Sequence, residues 1–181
     1  MRSPPKHKAV FLDRDGTLIV DTGYCSDPAD VKLIDGVQEL LRRLKQAGFK
    51  LVVVTNQSGI GRGYFGECEF WAVQKELERQ AGGYLIDATY FCADIPESAS
   101  ERRKPNPGML LEAANDLGID LPESYMIGDK VTDIEAGIRA GVKASILVSS
   151  DAPESPPTSE EAIVVRDLRQ AAEIILAGQS R

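Results

Sequence analysis

Residues 11–18 read FLDRDGTL and set two aspartates, Asp13 and Asp15, on either side of an arginine at the end of an apolar run. Crowded carboxylates repel each other and lose water beside a buried strand, so the pair is costly unless a cation or a proton compensates it. Two such groups can divide a covalent reaction between them. One attacks and forms an ester-like intermediate, while the other gives a proton to the leaving group and later takes one from water. Asp13 stands where the nucleophile would be and Asp15 where the proton shuttle would be. Gly16 and Thr17 follow, allowing a tight turn whose backbone amides can approach an anion.

Other polar residues recur at similar places. Thr55 follows the run KLVVV, Cys92 follows ATYF, Lys104 stands in the next loop, and Asp129 follows YMIG. Each alone is also what any polar residue ending a strand looks like. Together they supply acids, a hydroxyl and an ammonium, and for these to meet, their segments must be strands of one sheet.

The pattern between them supports that. KAVFL is followed by GVQELLRRLKQAG, in which Val37, Leu40, Leu41, Leu44 and Ala47 recur at helical spacing, with Asp35 as N-cap and Gly48 as stop. FKLVVVT then reads as a strand. A helix over 68–80, a strand ATYFC, a helix over 108–117, a strand YMIG, a helix over 132–140, strands ASILV and AIVV, and a helix over 167–176 complete the series. This alternation predicts an α/β fold, a doubly wound, mainly parallel sheet with helices on both faces. Ligands of such a sheet bind beyond the carboxyl ends of its strands. With the fourth strand beside the first, Asp13 and Asp129 become neighbours and form a hard oxygen site suited to Mg2+, which completes its shell with water and substrate phosphate. Asp133, one helical turn after Asp129, is read as a supporting or helix N-terminal acid, with metal ligation as the alternative.

Length and composition bound the rest. The 181 residues, 43% hydrophobic, fit one domain over 1–181, with a polar leader over 1–7 and an exposed loop, SSDAPESPPTSE, over 149–160. Twenty-eight acidic against twenty-one basic residues give a net charge of −7, which argues against nucleic acid and anionic membrane as partners. The start holds no apolar stretch long enough for a signal peptide or a span, so a cytoplasmic monomer acting on a small molecule is expected. Cys25, Cys68 and Cys92 are widely spaced and read as reduced thiols. His7, the only histidine, lies in the leader, which leaves histidine-based catalysis without a residue to perform it.

The segments FLDRDGTL, VVVTNQSGIGRG, RKPNPGMLLEA and YMIGDKVTDIEAG resemble, in order, the four motifs of the haloacid dehalogenase-like phosphatases, over residues 9–148. Their fullness is similar to the branch holding the D-glycero-D-manno-heptose 1,7-bisphosphate 7-phosphatases and histidinol-phosphate phosphatases, and VDTGY leans towards the heptose enzymes. The resemblance implies a Rossmann-like fold without a large cap domain and a magnesium-dependent phosphoric monoester hydrolase that forms an aspartyl-phosphate. Asp13 would be the nucleophile and Asp15 the general acid and base. Asp13, the main-chain carbonyl of Asp15, and Asp129 would hold magnesium, while Thr55 and Lys104 would bind the transferring phosphoryl group. Asp21, Thr22, Gly23 and Tyr24 fall where this branch contacts the rest of its substrate. So do Asn56, Gln57, Ser58, Arg103 and Lys130.

The sequence departs from the resemblance before RKP, where CADIPESASERRKP keeps Cys92 but has Asp94 at a histidine position and no later cysteine. Four ligands are needed for structural zinc, so none is expected. Nor is there an insertion large enough for a cap, which leaves the loops over 21–27, 58–66 and 93–103 to close the site. The expected substrate is the 7-phosphate of a heptose bisphosphate, a lipopolysaccharide precursor, with histidinol phosphate as the alternative. A polynucleotide phosphatase is disfavoured by the acidic charge. Outside enzymes, a receiver-like phospho-acceptor module also gathers acids, a hydroxyl and a lysine, but without a second acid two residues after the acceptor. Multiple turnover separates the two.

Overall fold

The structure, a computed structural model, describes residues 6–150 and 162–179. Strands β1 (Ala9–Leu12), β2 (Lys50–Asn56), β3 (Ala88–Cys92), β4 (Tyr125–Gly128), β5 (Ala144–Val148) and β6 (Ala162–Val165) form one sheet in the order β3-β2-β1-β4-β5-β6. Every pairing is parallel. The fourth strand therefore lies against the first, the adjacency on which an Asp13 and Asp129 site depends.

The helices are α1 (Val37–Gln46), α2 (Ser58–Gly61), α3 (Glu67–Gln80), α4 (Gly108–Leu117), α5 (Val131–Ala140) and α6 (Leu168–Ala177). Alternate residues of each strand face opposite layers. Val10, Leu12, Leu51 and Val53 pack with Leu40, Leu41 and Leu44 of α1 and with Leu168, Ala172 and Ile175 of α6. Ala9, Phe11, Val52 and Val54 pack on the other side with Met109, Leu110 and Ala113 of α4 and with Ala136 and Ala140 of α5. Covering both faces explains why the strands read as unbroken apolar runs. Each fully buried leucine or phenylalanine here contributes about 1.5–3 kcal/mol relative to exposure.

The expected elements are present, with local corrections. The N-cap of α1 is Gly36, at φ 88°, and not Asp35; no side chain caps this end. A left-handed turn there needs glycine, which moves the boundary by one residue. Ala47 is the C-cap of α1, and Gly48, at φ 83°, turns the chain towards β2. The helices expected over 68–80 and 132–140 each begin one residue earlier. The short helix α2 was not expected from SGIG, because two glycines in four residues carry no helical signal.

Between Asp13 and Thr55 the chain builds a 3₁₀ turn (Pro28–Asp30), α1 and most of β2, and between Thr55 and Lys104 it builds α2, α3 and β3. Both α1 and α3 contribute to the core on the sheet, so neither interval forms a separate cap. Of the expected leader, residues 1–5 lie outside the described residues, and so does 151–161, most of the expected loop. His7 is tied down rather than free: its N–H donates to the Gly118 carbonyl at 2.8 Å, and its carbonyl accepts from Asp120 at 2.7 Å.

Candidate active site

The first motif is held by its own turn. Asp13 continues the β1–β4 ladder, its N–H donating to the Ile127 carbonyl at 3.0 Å. The Arg14 carbonyl then accepts from Leu18 at 2.8 Å and Ile19 at 3.1 Å, folding DRDGTL back on itself. Gly16 sits in this turn at φ 90°, and a Cβ there would lie 2.2 Å from Oδ2 of Asp129. Glycine therefore lets the turn pass beneath the Asp129 carboxylate. Thr17 Oγ1 donates to Asp129 Oδ1 at 3.3 Å.

Lys104 enters from the loop after β3. Asn56, the last residue of β2, brackets its backbone: Nδ2 donates to the Lys104 carbonyl at 3.0 Å, and Oδ1 accepts the Lys104 N–H at 3.1 Å. The side chain, 2% exposed, runs inward to Asp13 Oδ1 at 2.7 Å, to the Val54 carbonyl at 2.8 Å and to Asp133 Oδ1 at 2.7 Å. Asp133 reaches it from the first turn of α5, where its other oxygen accepts the Lys130 N–H at 3.0 Å. A Cβ on Gly128 would lie 2.3 Å from Asp133, so that glycine makes room for the acid.

The electrostatics follow from burial. Desolvation, with Asp133 nearby, pushes the Asp13 carboxyl up to about 6, although Lys104 pulls the other way. Asp129 is pushed up to about 6, first by burial and then by Asp13. Burial opposes the charge of Lys104, but Asp13 and Asp133 outweigh it and raise its pKa. The ammonium is therefore a fixed positive charge beside Asp13.

Asp15 points to different partners. Arg14 Nε donates to its Oδ2 at 2.9 Å and Arg14 Nη2 to its Oδ1 at 3.2 Å. Gln57 Nε2 donates to the same Oδ2 at 2.8 Å and to Thr55 Oγ1 at 2.8 Å. Thr55 itself is buried at the end of β2, in a recess it shares with Asp13, Asp15, Lys104 and Thr132.

Outside this recess opens a cavity of about 540 Å3, lined on one side by Asp21, Gly23 and Tyr24 and on others by Asn56, Gln57, Ser58, Arg103 and Lys130. Its size suits a small phosphorylated molecule. Asp21 pairs with Lys130 at 3.3 Å across one wall. The tight approach of the loops explains the glycines of SGIG: a Cβ on Gly59 would lie 2.3 Å from Phe65 and 2.8 Å from Tyr24, and one on Gly61 2.3 Å from the Ala93 carbonyl.

Three of the expected substrate contacts stand as follows. Thr22 is exposed and does not line the cavity; it hydrogen-bonds Cys25, whose thiol burial pushes up in pKa. Asn56 and Gln57 line the wall, but their amides are committed to Lys104 and Asp15. Arg14 and Thr132 carried no expected role, Cys25 was expected only as a reduced thiol, and Asp133, expected as a supporting acid, finds its partner in Lys104. Arg14 could have been singled out as a charge inside a strand-end motif, where solvent is scarce.

The loop before Arg103 is held by hydrogen bonds. The Cys92 thiol approaches Asp94 Oδ2 at 3.4 Å and Ser100 Oγ at 3.5 Å, and Asn106 Nδ2 donates to the Ser100 carbonyl at 2.8 Å. Arg103 Nη1 donates to the Asp94 carbonyl at 2.8 Å, which orients the guanidinium.

Known proteins resemble this chain in sequence and fold. A family model described as haloacid dehalogenase-like hydrolase matches residues 22–141. The D-glycero-beta-D-manno-heptose-1,7-bisphosphate 7-phosphatase of Haemophilus influenzae is 45% identical over 155 residues, covering 81% of this chain and 84% of the relative. The enzyme of the same name from Escherichia coli K12 is 42% identical over 163 residues, covering 85% of each chain. Among solved structures, a D,D-heptose 1,7-bisphosphate phosphatase from B. bronchiseptica, complexed with magnesium and phosphate, has a TM-score of 0.82 and 30% identity, covering 94% of this chain and 99% of that one. Sheet order, strand-end residues and similarity over most of the length agree: the chain belongs to the haloacid dehalogenase-like hydrolase family.

Proposed function

We propose that this protein is a magnesium-dependent phosphatase that removes the 7-phosphate of D-glycero-β-D-manno-heptose 1,7-bisphosphate. The observation that carries the chemistry is the buried Lys104, fixed 2.7 Å from Asp13 at the end of the sheet. The substrate follows from relatives more than 40% identical over most of this chain.

Asp13 Oδ attacks the phosphorus, forming a P–O bond while the bond to the sugar oxygen breaks. Asp15 gives its proton to that oxygen, and the sugar leaves as an alcohol. A water molecule then attacks the aspartyl-phosphate, its proton passing to Asp15, and the bond to Asp13 breaks to release inorganic phosphate. Thr55 and Lys104 bind the phosphoryl oxygens, each the kind of donor worth about 10²- to 10³-fold in rate. Arg103 and Lys130 are the cations on the cavity wall suited to the distant phosphate.

The donor set fits magnesium. One oxygen each from Asp13, Asp129 and Asp133 lies within 4.8 Å of the others, all hard carboxylate donors. Both oxygens of Asp133 are engaged, Oδ1 by Lys104 and Oδ2 by the Lys130 N–H, whereas Lys104 engages Asp13 at Oδ1 alone. This favours the ligand set that the family resemblance implies, Asp13, Asp129 and the Asp15 carbonyl. Bound magnesium would neutralise charge on the transferring phosphoryl group. No structural zinc belongs to this reading.

The reading takes residues 1–181 as one phosphatase domain working as a cytoplasmic monomer in carbohydrate metabolism, on a lipopolysaccharide precursor. No helix among the described residues is long and apolar enough to cross a membrane. The test is phosphate release, with magnesium, from both anomers of the heptose bisphosphate, histidinol phosphate and common hexose phosphates. The highest kcat/KM is expected for the β-heptose bisphosphate. A higher value for histidinol phosphate would overturn the assignment in favour of that enzyme.

A further inference from the structure

Arg14 is the largest fully buried side chain among the described residues, 0% exposed, and the mechanism above gives it no task. A buried guanidinium is costly unless all its N–H groups find partners. Here they do not: Nη1 is buried without a hydrogen-bond partner. Packing offers only partial compensation, with the guanidinium carbon 5.0 Å from the ring centre of Phe70 in α3. An arrangement so poorly justified by stability calls for another explanation.

The remaining donors converge on Asp15 and its neighbour Gln57. Nε and Nη2 of Arg14 grip the two oxygens of Asp15, and Nη2 also donates to Gln57 Oε1 at 3.1 Å. Gln57 returns its amide to Asp15 Oδ2 at 2.8 Å, closing a ring of Arg14, Asp15 and Gln57. A carboxylate offers about four lone-pair positions. Two donors occupy Oδ2 and one occupies Oδ1, so a single position is left open, on Oδ1.

We propose that Arg14 and Gln57 are positioning residues that lock the rotamer of Asp15 and confine its proton transfer to Oδ1. The proposal deepens the reading of Asp15 as the acid and base and rests on it. Gln57 thereby changes role, from a substrate contact to part of the acid's support. Through Thr55 Oγ1, which also accepts from its amide, it ties the proton donor to the group that binds the phosphoryl oxygens. Asp15 and Thr55 are thus held in one rigid frame, and small errors of placement at such a site are expensive.

The test exploits the leaving group. A sugar alkoxide needs a proton as it departs, whereas nitrophenolate does not. Values of kcat/KM report the first, phosphoryl-accepting step and are measured for the heptose bisphosphate and for p-nitrophenyl phosphate. Wild type is compared with Arg14→Lys, Gln57→Leu and Asp15→Asn. Arg14→Lys keeps the buried charge and removes the two-pronged grip. Both substrates lose rate in each variant, but the ratio of sugar to aryl kcat/KM should fall by roughly 10- to 100-fold in Arg14→Lys and Gln57→Leu, within the range of a positioned acid. It should fall at least as far in Asp15→Asn, and adding Gln57→Leu to Asp15→Asn should not lower it further. If Arg14→Lys does not fold by circular dichroism, Gln57→Leu carries the test alone. An unchanged ratio in the folded positioning variants, with a lowered ratio in Asp15→Asn, overturns the positioning role. An unchanged ratio in Asp15→Asn overturns the acid itself, and the proposal with it.

Discussion

Replacing Gly16 by alanine should leave the fold standing and disable the magnesium site. The backbone there is left-handed, at φ 90°, which costs a residue with a Cβ about 1–2 kcal/mol. The new Cβ would lie 2.2 Å from Asp129 Oδ2 and 2.6 Å from its Cγ. Carbon atoms settle at about 3.5–4.0 Å from one another, so the carboxylate must withdraw by roughly 1 Å. A displacement of that size at a reacting centre costs about 100-fold in rate. At 2–4 °C per kcal/mol for a chain of this size, the melting temperature should fall by about 2–8 °C. Phosphate release titrated with magnesium should show half-activation at a concentration raised roughly tenfold or more, with kcat/KM about 100-fold lower at saturation. Wild-type magnesium dependence in a variant that melts a few degrees lower would show that the turn does not set the position of Asp129.

Other expectations follow from the same geometry. Asp13→Asn should abolish turnover while preserving secondary structure by circular dichroism, because an amide is close in shape to the carboxyl group and a poor nucleophile. Arg103→Ala should chiefly lower kcat/KM for the bisphosphate and hardly alter that for a small monophosphate, whereas Lys104→Ala should reduce both by roughly 100-fold or more; equal losses from Arg103→Ala would refute this division. Magnesium should stabilise the protein more at pH 7.5 than at pH 4.5. Burial pushes the Asp13 carboxyl up to about 6 from 3.8, so its protonated form stabilises the metal-free fold, an effect present below 3.8 and lost as pH rises through about 6. Asp129 acts in the same direction. A rise in melting temperature on adding magnesium that is equal at both pH values would contradict this.

How far the sequence revealed the site depends on the residue. Asp13, Thr55 and Asp129 were legible because parallel strands buried on both faces make long apolar runs, and the first polar residue after each marks the ligand-binding edge. Cys92, read by the same rule, is a core residue whose thiol meets the loop before Arg103 instead. The place of Asp129 beside Asp13 required the strand order, which alternation of strands and helices does not fix. It was expected only if the sheet took the common doubly wound order, and the order β3-β2-β1-β4-β5-β6 sets β4 against β1. Side-chain direction was harder to read. Asn56 and Gln57 stand in a motif that faces the cavity, yet Asn56 turns back to bracket Lys104 and Gln57 turns under Asp15. No periodicity encodes such rotamers, which long-range partners 48 and 42 residues away decide. Arg14 was overlooked because an arginine between two acids looks like a solvated charge, and only the closure of α3 over it shows otherwise. The one-residue error at the start of α1 is of another kind: Asp35 has the right chemistry for a cap, but the left-handed turn at Gly36 ends the loop first.

The covalent step can be observed directly. Enzyme mixed with excess heptose bisphosphate and magnesium is quenched in acid during turnover, digested and analysed by mass spectrometry. One phosphoryl group should appear on the peptide carrying Asp13, fragment to that side chain, and be absent from Asp13→Asn. Rapid turnover with no phosphoryl group on the protein, or with the group on Asp15, would contradict the account.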